Sequence, residues 1–334
     1  MKELSIILVN WNCISYTEQC LASIRDTVRN LDFEVIVIDN HSADAPCATL
    51  IEQFPWVTLL LSDENLGFGR ANNLAVKHSS GEYLLFLNPD TLVLGDSLSQ
   101  MLLALKRMPK GGAIGCKLLN PDGTLQSTCV QPFPTIANQL LALGWLQRRW
   151  PASPLWGRQA AYANEPGKVY EVDFVSGAAI LVRRDIFLNV GGFNPDYFMF
   201  AEETELCLEI HAAGYNVGHT GDAQIIHFGG QSTKTREDSF ASVMMRDSVY
   251  RFFKRNRGAA YAVAYRLAIL LSAACRVMVL GGLFPVVMLL RYQSLKLDVK
   301  RAFGKWLDIA QWAVGFNICR LPSSPGSSVQ TSEG

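Results

Sequence analysis

The 334 residues are enough for one large domain or two modest ones, and 30 basic and 30 acidic side chains cancel to a net charge of zero. This balance excludes a general attraction to nucleic acid, and none is expected as a partner. The eight cysteines contain no Cys-x-x-Cys pair, which argues against a zinc site or thioredoxin-like redox chemistry and leaves reduced thiols as small apolar fillers.

In chain order, residues 4–9 are apolar and predict a buried strand, too short for a signal-peptide core, ended by Asn10-Trp11-Asn12. Ser15 and Glu18 have capping-box spacing, with Leu21, Ile24 and Val28 following at helical period. Residues 33–38 predict a second strand ending in Asp39-Asn40. Asn40-His41-Ser42 fits a glycosylation acceptor, read as inert without an export signal. Asp44 is suited to cap a helix reaching Phe54, with Pro46 in its first turn. Residues 57–61 predict a third strand, and 65–73 a glycine-containing loop entering a helix that stops near Gly81. The run Tyr83-Leu84-Leu85-Phe86-Leu87 predicts a buried strand, broken by Asn88-Pro89-Asp90. A helix over 96–108, a strand over 113–118 and the turn Asn120-Pro121-Asp122-Gly123 come next. Residues 130–168 are poorly patterned and read as an excursion. Strands are expected over 170–174 and 178–182 around Ser176-Gly177, then a short helix from Arg183-Arg184-Asp185 to Gly191-Gly192. Glu202-Glu203-Thr204-Glu205 opens a helix that stops at Gly214, and 224–227 is a last short strand.

Alternating strands and helices imply an α/β domain, a mostly parallel sheet covered on both faces. The loops after the strands then gather along one edge, bringing Asn10, Asn12, Asp39, Asn65, Arg70 and Asp90 together. This domain is expected over 1–255, a helical membrane-associated extension over 256–320 and a disordered tail over 321–334. Arg266, Arg276 and Arg291 divide or bound the apolar stretch 259–290, whose runs 267–275 and 277–290 fall short of the roughly 20 residues needed to span a bilayer. An arginine at mid-membrane depth is costly. The expectation is therefore helices lying in or against a membrane interface. Arg251, Lys254, Arg255 and Arg257 upstream, and Lys296, Lys300, Arg301 and Lys305 downstream, would meet anionic headgroups. An ordinary helical subdomain or dimer interface is the competing reading.

Ile6 to Asn12, the segment Val37-Ile38-Asp39-Asn40-His41-Ser42-Ala43-Asp44, the segment Asn65-Leu66-Gly67-Phe68-Gly69-Arg70-Ala71-Asn72-Asn73 and Leu87-Asn88-Pro89-Asp90 follow one another in an ordered set. Gly177-Ala178, Gly191-Gly192-Phe193, Phe198-Met199-Phe200-Ala201-Glu202-Glu203 and His227 with Gly229-Gly230 continue it. In order and spacing these resemble family 2 glycosyltransferases, the bacterial rhamnosyltransferase-like branch above all, over about residues 4–255. The resemblance implies a GT-A, Rossmann-like fold and inverting transfer from a nucleotide sugar with Mn2+ or Mg2+. It implies Asp90 and His227 as metal ligands, Asn88 at the first position of the DxD-type motif, Asp39 on the pyrimidine base, and Val9, Asn10, Asn12, Asn65, Gly67, Arg70 and Gly177 around the donor. Glu203 takes the catalytic-base position, with Glu202 the next candidate. The family has Glu-Asp and, one residue on, Asp; here Glu202-Glu203-Thr204-Glu205 keeps the charge and lengthens the base by a methylene.

The chemistry suits these groups. A departing diphosphate is neutralised by a divalent cation; hard cations take carboxylate oxygen, and an imidazole tilts the preference toward manganese. In-line displacement needs one base for the acceptor hydroxyl, and burial or like charges, here Glu202 and Glu205, raise a glutamate toward that task. Singly, Asp90 also reads as a turn residue, Glu203 as a helix-start carboxylate, Arg70 as a surface arginine, and Trp11 and Tyr16 as packing. His41, His78, His211 and His219 are read as structural. The expected donor is dTDP-rhamnose or another dTDP-deoxyhexose, with a UDP-sugar as alternative. The expected acceptor is a lipid-linked glycan at the cytoplasmic face of the inner membrane, with the protein peripheral or monotopic. A sugar-nucleotide-forming nucleotidyltransferase is disfavoured, because Asn10-Trp11-Asn12-Cys13 stands where its glycine-rich basic loop would be. A non-catalytic nucleotide- or glycan-binding relative is the third reading.

Overall fold

The computed structural model of the chain describes residues 2–43, 47–141, 147, 149–153, 156–163, 165–229, 238–289, 293–316 and 329–331. Asp44 and Pro46, expected at a helix start, lie outside these residues.

Strands β1 (Leu4–Asn10), β2 (Phe33–Asp39), β3 (Val57–Ser62) and β4 (Tyr83–Leu87) run parallel in the order β3-β2-β1-β4. Helices α1 (Ile14–Thr27), α2 (Thr49–Gln53) and α3 (Phe68–Lys77) connect them. The short β5 (Thr91–Val93), which the apolar pattern does not signal, is followed by α4 (Ser97–Arg107) and β6 (Gly111–Leu119). In the excursion, β7 (Val130–Gln131), α5 (Ile136–Leu141) and α6 (Gln159–Tyr162) are short. The single strand expected over 170–174 is two pieces: β8 (Val169–Glu171), paired with a later strand, and β9 (Phe174–Val175), paired with β7. β10 (Ala179–Arg183) lies antiparallel between β4 and β6, reversed by the turn at Ser176-Gly177, so strict alternation gives way to a mixed sheet. After α7 (Arg184–Asn189) and α8 (Glu202–Ala212), β11 (Asn216–His227) pairs parallel with β6 and antiparallel with β5. It is three times the length expected from residues 224–227. The Gly218-His219-Thr220-Gly221-Asp222 segment hides it from a hydrophobic pattern, and its register shifts between Thr220 and Gln224.

β1 shows why the sheet is buried on both faces. Ile6 and Leu8 enter one core with α1 and α4; Ile7 and Val9 enter the other with α3 and α8. Each such side chain contributes about 1.5–3 kcal/mol on burial. Phe86, Phe187 and Phe193 pack mutually in the second core, with ring centroids 4.7 to 5.5 Å apart. The capping box expected at Ser15 does not form. The chain turns at Asn12 (φ 51°), α1 begins at Ile14, and no side chain caps it.

The C-terminal part forms α9 (Asp238–Asn256), α10 (Ala259–Leu289) and α11 (Gln293–Ala313), which share a third core with Tyr197 and Ala201. The apolar stretch that Arg266 and Arg276 seemed to split is one continuous helix. Its 27-residue portion Ala259–Pro285 is long and apolar enough to cross a membrane by length and composition. Both arginines turn toward α11 and the α9 side. Arg266 stacks over Tyr250 and Trp312 at 5.3 and 5.2 Å and donates to the Trp312 carbonyl; Arg276 lies 4.2 Å over Trp306. β12 (Val329–Thr331) pairs antiparallel with β3.

Candidate active site

The ends of β1, β2 and β4, the loop before α3, the Ser176-Gly177 turn, the start of α8 and the end of β11 surround a cavity of about 420 Å³. That is large enough for a ligand of several rings. Of the residues singled out from the sequence, Val9, Asn65, Gly67, Asn88, Asp90, Gly177, Glu202, Glu203 and His227 line it.

Asp90 and His227 meet because β5 and β11 pair: Thr91, next to Asp90, stands opposite His227. The buried Asp90 Oδ1 lies 3.3 Å from His227 Nε2. His227 Nδ1 lies 2.8 Å from Gln126 Oε1, and the Gln126 amide is oriented by donating its own Nε2 to Asn120 Oδ1 at 3.1 Å. An amide oxygen accepts, so Nδ1 carries the proton and donates. The Nε2 lone pair then faces a carboxylate, with Asn88 Nδ2 3.3 Å away. A histidine oriented through its other nitrogen, with a carboxylate beside the free one, is a common metal-ligand arrangement. The residues therefore fit a divalent cation. Among the described residues, no group of three or more His, Cys, Asp or Glu side chains is gathered to hold a metal. Asp90 and His227 would thus be the protein's share, with phosphate and water oxygens completing the set.

Glu202 and Glu203 open α8, where the helix dipole favours negative charge. Glu203 is half-buried and lies against Gly177, where an added Cβ would stand 3.5 Å from that of Glu203. Burial raises its pKa. Glu202 is 4% exposed, and its Oε2 is buried without a partner; burial first and the Glu203 charge second push its pKa well up. The two carboxylates thus titrate as a pair, both raised by burial. Glu205, expected as a second like charge, is turned away. It accepts from Tyr197, from Asn194 Nδ2 at 2.8 Å and from Arg255 Nε at 2.7 Å.

Four expected donor residues do not line the cavity. Asn10, fully buried, donates to Asp39 Oδ1 at 3.0 Å across the β1–β2 pair; Asp39 also accepts from the Ser42 N–H at 3.2 Å. Asn12 accepts from the Ala43 N–H at 2.7 Å. Arg70 donates to the Pro195 carbonyl at 2.8 Å. The cavity wall beside Asp39 is Asn40, which the sequence reading passed over. Its side chain donates to Asn65 Oδ1 at 2.9 Å and accepts from the Leu66 N–H at 2.8 Å, setting the loop before α3. Gly67 has φ +78°, and a Cβ there would sit 2.3 Å from the Phe198 carbonyl oxygen, so the approach of these two loops demands glycine. Trp11 lines the cavity, whereas Tyr16 packs on Phe228 at 5.2 Å. Thr128, Gln131, Phe198, Met199, Phe200, Phe240 and Met245 also line it without having been expected. Phe240 and Met245 come from a helix whose partner surface is not legible in sequence. Cys20 and Cys207 are buried, with their thiols pushed up to about 12, in keeping with inert fillers. Burial holds His219 neutral, at about 4.

The mostly parallel central sheet, with its crevice at the ends of β1, β2 and β4 and a C-terminal helical extension, is a GT-A-like α/β fold. The family model of glycosyl transferase family 2 matches residues 5–191, and the chain belongs to this family. It is similar to N-acetylglucosaminyl-diphospho-decaprenol L-rhamnosyltransferase of Mycobacterium tuberculosis, with 30% identity over 243 residues, covering 69% of this chain and 77% of that protein. It is also similar to rhamnosyltransferase WbbL of Escherichia coli, with 27% identity over 203 residues, 57% of this chain and 71% of that protein. The fold matches mannosyltransferase PcManGT from Pyrobaculum calidifontis, solved with GDP-Man and Mn2+, at a TM-score of 0.57 and 17% identity over 94% of this chain and 87% of that one.

Proposed function

We propose that this glycosyltransferase is inverting and divalent-metal-dependent, and that it moves rhamnose or another deoxyhexose from a dTDP-sugar to a lipid-linked glycan acceptor at the cytoplasmic face of the cell membrane. The observation that carries the reaction type is the Asp90–His227 Nε2 axis opening into the same cavity as Glu203. The cation, when bound, neutralises charge developing on the leaving diphosphate. Asp90 and His227 would hold it, and Gln126, 2.8 Å from His227 Nδ1, orients the imidazole for that role. Asn88 and the Asn40–Asn65 pair shape the donor side. Glu203 takes the acceptor hydroxyl's proton as the sugar oxygen bond forms and the diphosphate departs. Glu202, its pKa pushed well up by burial and by the Glu203 charge, stands beside it. The rhamnosyl donor and lipid-linked acceptor are supported by what the bacterial relatives are named for. The membrane surface is supported by an exposed apolar stripe on α10, formed by Val263, Leu267, Leu271, Met278 and Leu283.

A thermal-shift panel of dTDP-, UDP- and GDP-sugars with and without manganese tests the reading, followed by assay of diphosphate release. The expected outcome is a manganese-dependent shift with dTDP-rhamnose. Asp90→Ala abolishes that shift; Glu203→Gln keeps it and lowers turnover by about 10²–10⁴-fold. Equal nucleotide affinity of Asp90→Ala in manganese removes Asp90 from the metal site. A UDP-sugar preference transfers the reading to that donor class, and tight binding with no diphosphate released by the native chain identifies a binding module instead.

A further inference from the structure

The residues that present Glu202 and Glu203 do not rest on the sheet. Phe200 and Ala201, immediately before them, both occupy the left-handed region at φ 68° and 66°. Two consecutive non-glycine residues in this region are strained and persist only where the surroundings impose them. The surroundings are the loop before α3, whose Phe68 N–H donates to the Phe198 carbonyl at 2.9 Å, and, on the other side, the C-terminal helices. The Ser248 hydroxyl of α9, 1% exposed, donates to the Met199 carbonyl at 2.7 Å. Seven residues further along α9, Arg255 Nε reaches Glu205, 2% exposed at its side chain, at 2.7 Å, one turn into α8. Asn194 and Tyr197 complete the carboxylate's partners. Tyr197 and Ala201 are themselves buried in the third core, among Val243, Phe252 and Phe253 of α9 and Tyr265 of α10.

We infer that α9 is part of the transfer machinery: Ser248 and Arg255 are positioning residues that clamp the turn carrying the base, one on each side of the left-handed pair. The same helix lends Phe240 and Met245 to the cavity wall, so the C-terminal helices shape the site as well as extend from it. Arg255 sits at the residue where the catalytic domain was expected to end, and α9 runs past it to Asn256. Physically, the clamp offsets backbone strain with one buried hydroxyl and one charge pair whose carboxylate is buried while its arginine is half exposed, groups that lose their partners together if α9 shifts.

This inference rests on the proposed transfer chemistry only in its kinetic half, so it is tested in two arms on the full-length chain. Hydrogen exchange of backbone amides comes first. Ser248→Ala and Arg255→Ala should speed exchange over residues 198–205, while β1 and β4 exchange as in the native chain. Unchanged exchange in that segment overturns the clamp whatever the enzyme does. Kinetics come second, with the donor found by the nucleotide panel. Both variants should lower kcat about tenfold while donor KM stays within about twofold, because a displaced base loses alignment and the donor side is untouched. Arg255→Lys, which keeps a donor and a positive charge, should recover part of kcat. Loosened exchange with native kcat overturns the positioning role. If a variant does not fold, Glu205→Gln, which can still accept from Asn194, donates to Tyr197 instead of accepting from it and removes the charge pair, gives the same two readouts. Absence of turnover by the native chain counts against the transfer reading, and the exchange arm still decides the clamp.

Discussion

Gln126 decides which nitrogen of His227 bears a proton, yet nothing in its sequence surroundings sets it apart from any glutamine after a turn. Removing that acceptor with Gln126→Leu frees the imidazole to rotate or change tautomer. Manganese binding, followed by titration calorimetry, is then expected to weaken roughly 10–100-fold with the fold intact. Glu202 offers a second test through linkage. Its folded pKa lies well above the ordinary glutamate value of 4.5, so the native state binds the proton more tightly than the unfolded chain. Its stabilising contribution is complete below 4.5 and is lost as pH rises toward the folded value. Glu202→Gln should therefore match the native Tm near pH 4 and exceed it increasingly toward neutrality. A Tm difference independent of pH would show that Glu202 is not held protonated.

The loop leading into α3 shows how an element depends on its neighbour. Asn40 from the end of β2 fixes Asn65, Asn65 Oδ1 accepts the Gly67 N–H at 2.9 Å, and Gly67 passes against the Phe198 carbonyl. Gly67→Ala combines a left-handed backbone with a Cβ where no space exists. It is expected to lower stability by at least about 1 kcal/mol and to weaken donor binding, measured by denaturant unfolding and the nucleotide thermal shift. Gly95, also at positive φ (+52°), has nothing within 4 Å of an added Cβ, so Gly95→Ala serves as the control that isolates the backbone term. The strands were legible wherever β-branched and leucine residues ran together. They were illegible in β11, where Gly218, His219 and Gly221 interrupt the run, and in β5, whose three residues are too few to show a period.

Across the whole molecule, α10 has two faces of opposite character. Ala262, Tyr265, Ile269 and Ala273 pack inward; Val263, Leu267, Leu271 and Met278 are 50 to 68% exposed. With Arg266 and Arg276 held over the tryptophans of α11, these charges face protein, and the exposed stripe is the surface proposed to meet lipid. Cys275 is the exposed cysteine among the described residues and sits near this stripe. A polarity-sensitive maleimide on Cys275, in a Cys319→Ser background, should shift to the blue with anionic vesicles, and Leu271→Glu should reverse the shift. An emission maximum insensitive to vesicles would return α10 to the role of a protein–protein surface.

The sequence by itself determined the strand-and-helix order of the first half, the carboxylate at the end of β4, the acidic start of α8 and the late histidine, because these are local signals of period, breaker and motif. Only the tertiary structure decided that β10 runs against its neighbours, that Asn40 and not Asp39 lines the cavity, that Glu205 pairs with Arg255, and that Ser248 of α9 bonds the Met199 carbonyl before α8. Those facts depend on which side chains meet across 25 to 50 positions or more. Such meetings are set by sheet register and helix packing, and no local window of residues contains them.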